Sequence, residues 1–167
     1  MERLWTPWRS VYMKQKKDKA RCIFCDAAAH PEADETNLVV FRGVTAFVIL
    51  NRYPYTSGHI MIAPYVHVSR LSDTSNDTSA EMMHLTRRAE GILEQAYKPD
   101  GLNLGMNLGE AAGAGIEQHI HMHVLPRWKG DANFMTSVGD TRIIPEALED
   151  TYTKLRDGFS QALLRED

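Results

Sequence analysis

Short apolar runs in the first half of the chain predict neighbouring β-strands. The runs cover residues 38–41, 46–50 and 59–63, and they are separated by Gly43 and by the turn-rich segment 51–58. Short runs that end at glycine, proline and asparagine are typical of strands joined by turns. We therefore expect three antiparallel strands side by side.

Two later segments carry apolar residues at helical spacing. The first begins with a capping-box pattern, Thr78 followed by Glu81, and stops before Pro99. The second begins at Pro145 and forms a C-terminal helix over 145–167. In both, apolar residues recur three or four positions apart: Met82, Leu85, Ala89, Ile92 and Ala96, then Leu148, Tyr152, Leu155 and Phe159. The pattern predicts two helices, each with one face against the core.

Between these helices the pattern returns to alternation. Apolar residues at positions 102, 104, 106 and 108 alternate with asparagine and glycine, which predicts a strand buried on one face. A loop rich in glycine and alanine follows at 109–115, and a further strand is expected over 117–125. This last strand carries His119, His121 and His123.

The three histidines are the strongest chemical signal in the sequence. Because side chains alternate across a strand, their rings are expected on one face, with successive rings roughly 6.7 Å apart along the strand. Such a row suits a linear polyphosphate. An imidazole with an ordinary pKa of about 6.5 is mostly neutral at neutral pH, so His121 can attack phosphorus as a nucleophile.

Besides a polyphosphate site, the same three histidines could form a surface stripe or a metal site. The outer two side chains start roughly 13 Å apart, too far to share one ion at bond lengths of about 2.0 Å. A phosphate site also needs hydrogen-bond donors, and loop 109–115 can supply backbone N–H groups without net positive charge. Arg127, just beyond the strand, is expected to add a cation.

The two cysteines, Cys22 and Cys25, have the spacing of a tetrahedral zinc site. His67 and His119 are plausible third and fourth ligands if the fold brings them together. Four protein ligands leave no open coordination position, so such a zinc would be structural. A pair of buried thiols and a redox pair are the alternatives. Cysteine usage of this kind favours the cytoplasm over secretion.

Composition and charge narrow the function classes. The 167 residues are 43% apolar and 25% charged, as expected for one globular domain. The formal net charge of -3 argues against a broad basic face for nucleic acid. Residues 1–21 are expected to form an irregular arm without an export signal, and no apolar run is long enough to span a membrane.

Two residues beside the turn-rich segment have two interpretations each. Asn51 is placed where it could bind a sugar hydroxyl or an outer phosphate, but the turn itself would explain an asparagine equally well. His59, which follows Gly58, is more often a packed strand histidine than a working one.

The residues from His119 to Trp128 resemble the signature of the histidine triad (HIT) family, in which three histidines alternate with apolar residues. The segment 50–59 looks like the nucleotide-pocket segment of that family. Residues 112–116 and 130–135, and the opening 4–9, resemble its diadenosine tetraphosphate phosphorylase-like members. The resemblance covers nearly the whole chain.

This resemblance implies an α+β, HIT-like fold with an antiparallel sheet of about five strands and two main helices. It also implies a homodimer with a continuous sheet, with a tetramer as the alternative. Its residue roles would make His121 the site of a covalent nucleotidyl intermediate. His123 and Asn107 would contact phosphate, while Asn51 and His59 would help to line the nucleotide pocket.

Further roles follow from the same resemblance. The loop residues that match the family's phosphate site are Gly113, Ala114, Gly115 and Ile116. In zinc-bearing relatives, including the galactose-1-phosphate uridylyltransferase branch, two cysteines, a downstream histidine and the first triad histidine hold zinc. The matching residues here are Cys22, Cys25, His67 and His119.

The resemblance implies an enzyme that cleaves dinucleoside polyphosphates, diadenosine tetraphosphate above all, by double displacement through His121. The acceptor stays open between water and phosphate. Fragile histidine triad hydrolases carry glutamine where this chain has Asn107, and their glycine loop is one residue shorter. The alternatives are a nucleoside phosphoramidase resembling the Hint branch and a non-catalytic, zinc-stabilised nucleotide-binding module.

Overall fold

A five-stranded antiparallel sheet organises the part of the chain that the computed structural model describes, residues 22–131 and 146–163. The strands are β1 (Val39–Arg42), β2 (Ala46–Leu50), β3 (Ile60–Pro64), β4 (Gly101–Met106) and β5 (Met122–Arg127). Their order across the sheet is β1-β2-β3-β5-β4, and each neighbouring pair is antiparallel. The expected arm, 1–21, lies outside the described residues, as does Pro145.

Within those residues, the helices are α1 (Ile23–Ala29), α2 (Asp34–Asn37), α3 (Asn76–Tyr97) and α4 (Leu148–Leu163). α3 and α4 are the two helices that the sequence predicts, while α1 and α2 are short and were not expected. Together with the sheet they confirm the predicted α+β fold. None of the helices in the described part of the chain combines the length and the apolar character needed to cross a membrane.

α3 and α4 cover one face of the sheet and form the main core with it. Phe41 of β1 stacks on Phe159 of α4, with ring centroids 5.3 Å apart. The other predicted helix positions buried in this core are Met82, Leu85, Ala89, Ile92, Tyr152 and Leu155. Burying each large apolar side chain stabilises the folded protein by roughly 1.5–3 kcal/mol. This core therefore decides which face of the sheet lies against α3 and α4.

α1 packs on the opposite face and closes a second, smaller core. This core contains Phe24, Ala27, Val39, Phe47, Ile49, Met61 and Ala63. Arg42 of β1 donates to the carbonyl of Ala27 at 2.6 Å and forms an ion pair with Asp34. The end of α1 is therefore tied to the sheet, which positions the two cysteines at its beginning.

The start of α3 differs from the capping-box prediction. The N-cap is Ser75, whose hydroxyl accepts the main-chain N–H of Thr78 at 3.1 Å. Glu81 instead reaches the turn between β1 and β2, where its carboxylate accepts N–H groups of Val44 and Thr45. Burial alone would raise the pKa of Glu81, but these hydrogen bonds outweigh it and hold the pKa below its usual value. Ser75 thus caps the helix locally, and Glu81 binds a turn that is distant in sequence instead of taking part in the cap.

β4 lies at the edge of the sheet, so its predicted burial is only partly correct. Leu102 and Met106 pack against the main core. Leu104 and Leu108 are 49% and 50% exposed, and Leu108 lies beyond the end of the strand. The alternating pattern identified the strand but not its place at an edge.

β5 begins at Met122 rather than at residue 117. The main-chain N–H of Ile120 donates to the carbonyl of Val68 at 2.7 Å. The ring of His119 is held by the carbonyl of Pro64, at 2.8 Å. These contacts replace strand pairing, so His119 and His121 precede β5 and only His123 lies in it.

Candidate functional site

The three predicted histidines lie on the sheet face opposite the main core. The apolar residues between and after them, Met122 and Val124, are buried in the main core as predicted. On the other side, the Phe24 ring of α1 lies 5.1 Å from the His119 ring and 4.8 Å from the His121 ring, measured between centroids. Sequence analysis missed Phe24, whose only signal was its position between two cysteines.

The rings do not form the evenly spaced row that the sequence predicts. The centroids of His121 and His123 are 4.8 Å apart, closer than the strand spacing of roughly 6.7 Å. His119 lies instead beside His67 and both cysteines. The triad is therefore divided between a pair of neighbouring rings and a sulfur-containing cluster.

His121 is held in a single orientation. Its ring is 5% exposed, and its Nδ1 atom lies 2.8 Å from the main-chain oxygen of His119. A carbonyl oxygen can only accept, so Nδ1 carries the proton and Nε2 of the neutral ring carries the lone pair. Burial lowers the pKa of His121, although the hydrogen bond to the His119 carbonyl raises it in part. The ring is thus prepared for nucleophilic attack through Nε2.

Nε2 of His121 is open to a reacting group. Among the described residues it has no hydrogen-bond partner, and it is not one of the fully buried polar atoms that lack one. It therefore keeps some contact with solvent even though most of the ring is covered. Nε2 is therefore the nitrogen of this ring that is free to bond to phosphorus.

His123 is paired with His59, which sequence analysis left between a packed and a working histidine. Nε2 of His59 lies 2.9 Å from Nδ1 of His123. Burial and the nearby His123 and His121 rings lower the pKa of His59 to about 3. Burial, then His121, lowers the pKa of His123 to about 4. Both rings are therefore neutral at neutral pH.

His59 is also anchored on its other side. Its ring is 1% exposed, and Nδ1 lies 3.3 Å from the side-chain nitrogen of Asn51 and 3.2 Å from the main-chain nitrogen of Tyr55. The structure thus brings Asn51, His59 and His123 into one hydrogen-bonded chain. Tyr55 was not singled out from the sequence, because its contribution here is a main-chain N–H.

Asn107 and the glycine loop lie beside the start of β5. Asn107 follows Met106, which is paired with Met122, so it lies next to the His121 end of the strand. Ile116 packs partly against the second core, and its carbonyl accepts the His119 N–H at 3.4 Å.

Some of the loop's N–H groups are used within the loop. Gly113, which has the positive φ of 86° that glycine tolerates, donates to Glu110 at 2.9 Å. Ala114 donates to Gly109 at 3.4 Å. The loop, which also contains Gly115, turns back towards His119, where the Ile116 carbonyl accepts the His119 N–H.

The cation expected from Arg127 is not at this site. Arg127 lies at the far end of β5 and donates to Asp131 and to the side chain of Asn103. Its guanidinium is thereby engaged on the exposed surface, so this prediction was wrong.

The predicted metal ligands meet in a single cluster. One ligand atom from each of Cys22, Cys25, His67 and His119 lies within 4.8 Å of all the others. Nδ1 of His119 is 3.4 Å and 3.6 Å from the two Sγ atoms, and Nδ1 of His67 is 3.1 Å from Sγ of Cys25. Zinc bonds of about 2.3 Å to sulfur and 2.0–2.1 Å to nitrogen put the ligand atoms of a tetrahedral site about 3.3–3.8 Å apart. The two distances from His119 fall in this range and the His67–Cys25 distance is slightly shorter, so the four residues fit such an ion after small shifts.

The hydrogen bond from His119 to Pro64 supports the same interpretation. Because the Pro64 carbonyl accepts from Nε2, the lone pair of the neutral ring is on Nδ1, which faces the thiols. Burial, then the neighbouring Cys22, raises the pKa of the Cys25 thiol to about 11. A thiol of this kind keeps its proton unless a cation displaces it.

We expect the free energy of unfolding to fall as the pH drops below about 6.5. His59 and His123 stay neutral in the folded protein, whereas an unfolded histidine with a pKa of 6.5 takes up a proton. Stability from a lowered pKa of this kind is present above about 6.5 and is lost below it, by roughly 1.4 kcal/mol per pH unit for each ring. Urea denaturation at a series of pH values measures the slope.

The variant His59→Gln lacks one of these rings and should show a shallower slope over the same range. A wild-type stability that stays constant or rises on mild acidification would contradict the neutral state assigned to both rings.

Comparison with known proteins agrees with this geometry. The chain is 41% identical over 157 residues to a Mycobacterium tuberculosis protein named AP-4-A phosphorylase, covering 90% of this chain and 80% of the relative. A zinc-bound histidine triad family protein from Mycobacterium smegmatis has a TM-score of 0.68 and 28% identity, over 86% of this chain and 96% of that one.

A bis(5'-adenosyl)-triphosphatase of Dictyostelium discoideum is 27% identical over 93 residues, or 56% of this chain and 62% of the relative. The HIT domain family matches residues 32–130, which is more than half of the chain. The protein with this paired-histidine site therefore belongs to the HIT domain family.

Proposed function

We propose that this protein cleaves dinucleoside polyphosphates, diadenosine tetraphosphate in particular, by transferring a nucleotidyl group to His121 and then to phosphate or water. The observation that carries the proposal is the state of the His121 ring. Its Nδ1 proton is held by the His119 carbonyl, and Nε2 is open with its lone pair. The name of the 41% identical relative, AP-4-A phosphorylase, supports the choice of substrate.

In the first step the lone pair on Nε2 of His121 forms a bond to the α-phosphorus. The bond from that phosphorus to the bridging oxygen breaks, and its electron pair leaves with the nucleoside polyphosphate. The ring then carries the nucleotidyl group on Nε2 and a proton on Nδ1, so it gains positive charge. The His119 carbonyl stabilises that charge, because it accepts the Nδ1 hydrogen bond.

In the second step an oxygen of the acceptor attacks the same phosphorus. The nitrogen–phosphorus bond breaks, and its electron pair returns to Nε2 of His121. With phosphate as the acceptor, the products from diadenosine tetraphosphate are ATP and ADP. With water they are ATP and AMP, and the surplus proton passes to solvent. The second displacement restores the neutral His121 ring, which is then ready for another substrate molecule.

The remaining site residues are assigned to binding. His123 and Asn107 would contact phosphate oxygens on either side of His121, and the loop that contains Gly113, Ala114, Gly115 and Ile116 would enclose them. Asn51 and His59 stand behind His123, towards the expected nucleotide pocket. These roles stay predictions, as do the cytoplasmic location and the absence of nucleic-acid partners.

Replacing His121 with Ala should reduce turnover of diadenosine tetraphosphate by about three orders of magnitude or more, because it removes the nitrogen that would carry the nucleotidyl group. Chromatography of nucleotides with and without added phosphate measures both the rate and the products. His84→Ala, on the exposed side of α3, is the matched control and should keep full activity.

The products also separate the alternatives. ADP that forms only with phosphate indicates a phosphorylase, and AMP without it indicates a hydrolase. An amine released from adenosine phosphoramidate, with diadenosine tetraphosphate left intact, would replace the proposal with a phosphoramidase. Wild-type turnover by His121→Ala would remove the assigned nucleophile, and a wild type inactive on all these substrates would indicate a binding module.

We further propose that the cluster of Cys22, Cys25, His67 and His119 holds structural zinc. Zinc there would supply a cross-link between the start of α1, the segment after β3 and the residue that precedes the nucleophile by two positions. Four protein ligands leave no position for substrate, so the ion would take no part in the reaction. The zinc-bound Mycobacterium smegmatis structure supports this assignment.

Metal analysis of the purified protein should find one zinc per chain, and Cys25→Ser should lose the metal and unfold at lower urea concentration. A structural zinc site contributes folding free energy, because the unfolded chain does not hold its ligands together. Ile23→Ser, a substitution at an exposed neighbour on the same helix, should keep the metal. A folded wild-type protein free of metal would rule the site out.

We also propose a homodimer in which the β4 strands of two copies pair. Among the described residues β4 pairs only with β5 and forms an edge of the sheet, and Leu104 on it is 49% exposed. Pairing two such edges would extend the sheet and cover these side chains.

Light scattering should give a mass near twice 18.9 kDa, and Leu104→Lys should lower it towards that of one chain, because it places like charges opposite each other. Val44→Lys, at an exposed turn, is the control. A fourfold mass would mean that two such dimers associate, and a monomeric wild type would contradict the proposal.

A further inference from the structure

A chain of hydrogen bonds runs from Asn51 through His59 to His123, and its direction is determined at the Asn51 end. The Oδ1 atom of Asn51 accepts the main-chain N–H of Tyr53 at 2.9 Å. The other end of the amide, the nitrogen, therefore faces His59, 3.3 Å from its Nδ1 and 3.5 Å from its Nε2. An amide nitrogen only donates, so Asn51 presents a donor to the His59 ring.

The main chain presents a second donor to the same atom. The N–H of Tyr55 points at Nδ1 of His59 with a nitrogen–nitrogen distance of 3.2 Å. A peptide N–H cannot accept a hydrogen bond. The Tyr55 N–H requires Nδ1 of His59 to be unprotonated, because a protonated Nδ1 would face it with a second N–H. The amide nitrogen of Asn51, which is closer to Nδ1 than to Nε2, adds a second donor beside the ring.

The state of His123 follows from that of His59. With Nδ1 of His59 unprotonated, its neutral ring carries the proton on Nε2, which donates to Nδ1 of His123 over 2.9 Å. Nδ1 of His123 is then the acceptor, so its own proton is on Nε2. That nitrogen is directed away from His59 and is placed to donate to a ligand beside His121.

We propose that Asn51 and the Tyr55 main-chain N–H are positioning groups, which make His123 present an N–H rather than a lone pair to the departing phosphate. This inference rests on the proposed function for its effect on turnover, but the ring states can be observed without substrate. His59 is 1% exposed, so water is nearly excluded and cannot readily satisfy a reversed arrangement.

A donor at this place is what a polyphosphate leaving group needs. The second pKa of a phosphate group is about 6, so the group departs as an anion without taking up a proton. A lone pair on Nε2 of His123 would repel the oxygen that receives the electron pair of the breaking bond, whereas an N–H stabilises it. The direction of this chain of hydrogen bonds therefore decides whether His123 stabilises the oxygen of the bond that breaks in the first step.

The role differs from the direct nucleotide contact that the family resemblance implies for Asn51. A sugar hydroxyl could still donate to the second lone pair of Oδ1, so the two roles have to be separated by experiment. Asn51→Asp separates them. A carboxylate accepts from a sugar hydroxyl as well as an amide does, but it cannot donate to His59.

Long-range proton–nitrogen NMR spectra of protein with nitrogen-15-labelled histidine report which ring nitrogens are protonated. For the wild type without substrate at neutral pH, we expect a proton on Nε2 and none on Nδ1 for both His59 and His123. A protonated Nδ1 on His59, or an unprotonated Nε2 on His123, would overturn the inference whatever the activity. This measurement needs no variant, so it does not depend on a substitution being tolerated.

In Asn51→Asp the carboxylate can only accept, so it should draw a proton onto Nδ1 of His59 in competition with the remaining Tyr55 N–H, and the spectrum should show this proton. The kcat for diadenosine tetraphosphate should fall by about 10- to 100-fold, while KM stays within about twofold of the wild type. Asn76→Asp, an exposed site at the start of α3, is the matched control and should change neither the spectrum nor kcat.

An Asn51→Asp variant with wild-type kcat would overturn the positioning role. So would an unchanged His59 spectrum, or a change confined to KM, which would identify Asn51 as a sugar ligand. A wild type with the expected spectrum but no activity on dinucleoside polyphosphates would refute the proposed function while supporting the ring states. The two failures are therefore distinguishable.

Discussion

The backbone at His119 is the constraint on which the whole site depends. Its carbonyl holds the Nδ1 proton of His121, its ring donates to the Pro64 carbonyl, and its Nδ1 faces the cysteine sulfurs. One residue therefore joins the metal-ligand cluster to the ring that would attack phosphorus. Any shift of His119 would move both. The next residue, Ile120, is fixed outside the strand ladder by its N–H bond to the Val68 carbonyl.

The two faces of the sheet differ in what they bury: one carries the main apolar core and the other carries the candidate site. The face under α3 and α4 holds the main apolar core, while the other face carries α1, Phe24 and the imidazoles. Burial on this second face keeps His59 and His123 neutral, because a charged ring there would lose its hydration without gaining an anionic partner. Each neutral ring has one donor nitrogen and one acceptor nitrogen, so burial also fixes the direction of the hydrogen bonds between the rings.

Local pattern predicted most of the fold because strands and helices repeat with different periods. The first three strands and the last two helices were found at or near their predicted positions. The errors occurred where tertiary contacts or a position at the sheet edge decided the outcome. Glu81 binds the β1–β2 turn instead of capping α3, Leu104 lies on an uncovered edge, and Arg127 is bound by Asp131 and Asn103. The β1–β2 turn and Asn103 are distant in sequence from Glu81 and Arg127, so the residues beside each site do not indicate these contacts; Asp131, four positions from Arg127, is the local exception.

The sequence by itself determined the chemistry that is available: three alternating histidines, a Cys-x-x-Cys pair and a glycine loop. It also determined their sheet face, because alternation sends Met122 and Val124 to the core. Only the tertiary structure decided which of these groups meet. His67 joins Cys25, 42 positions away, and His59 joins His123 across 64 positions. The donor and acceptor state of each ring is determined by such neighbours, since a neutral imidazole takes its proton position from the hydrogen bonds around it.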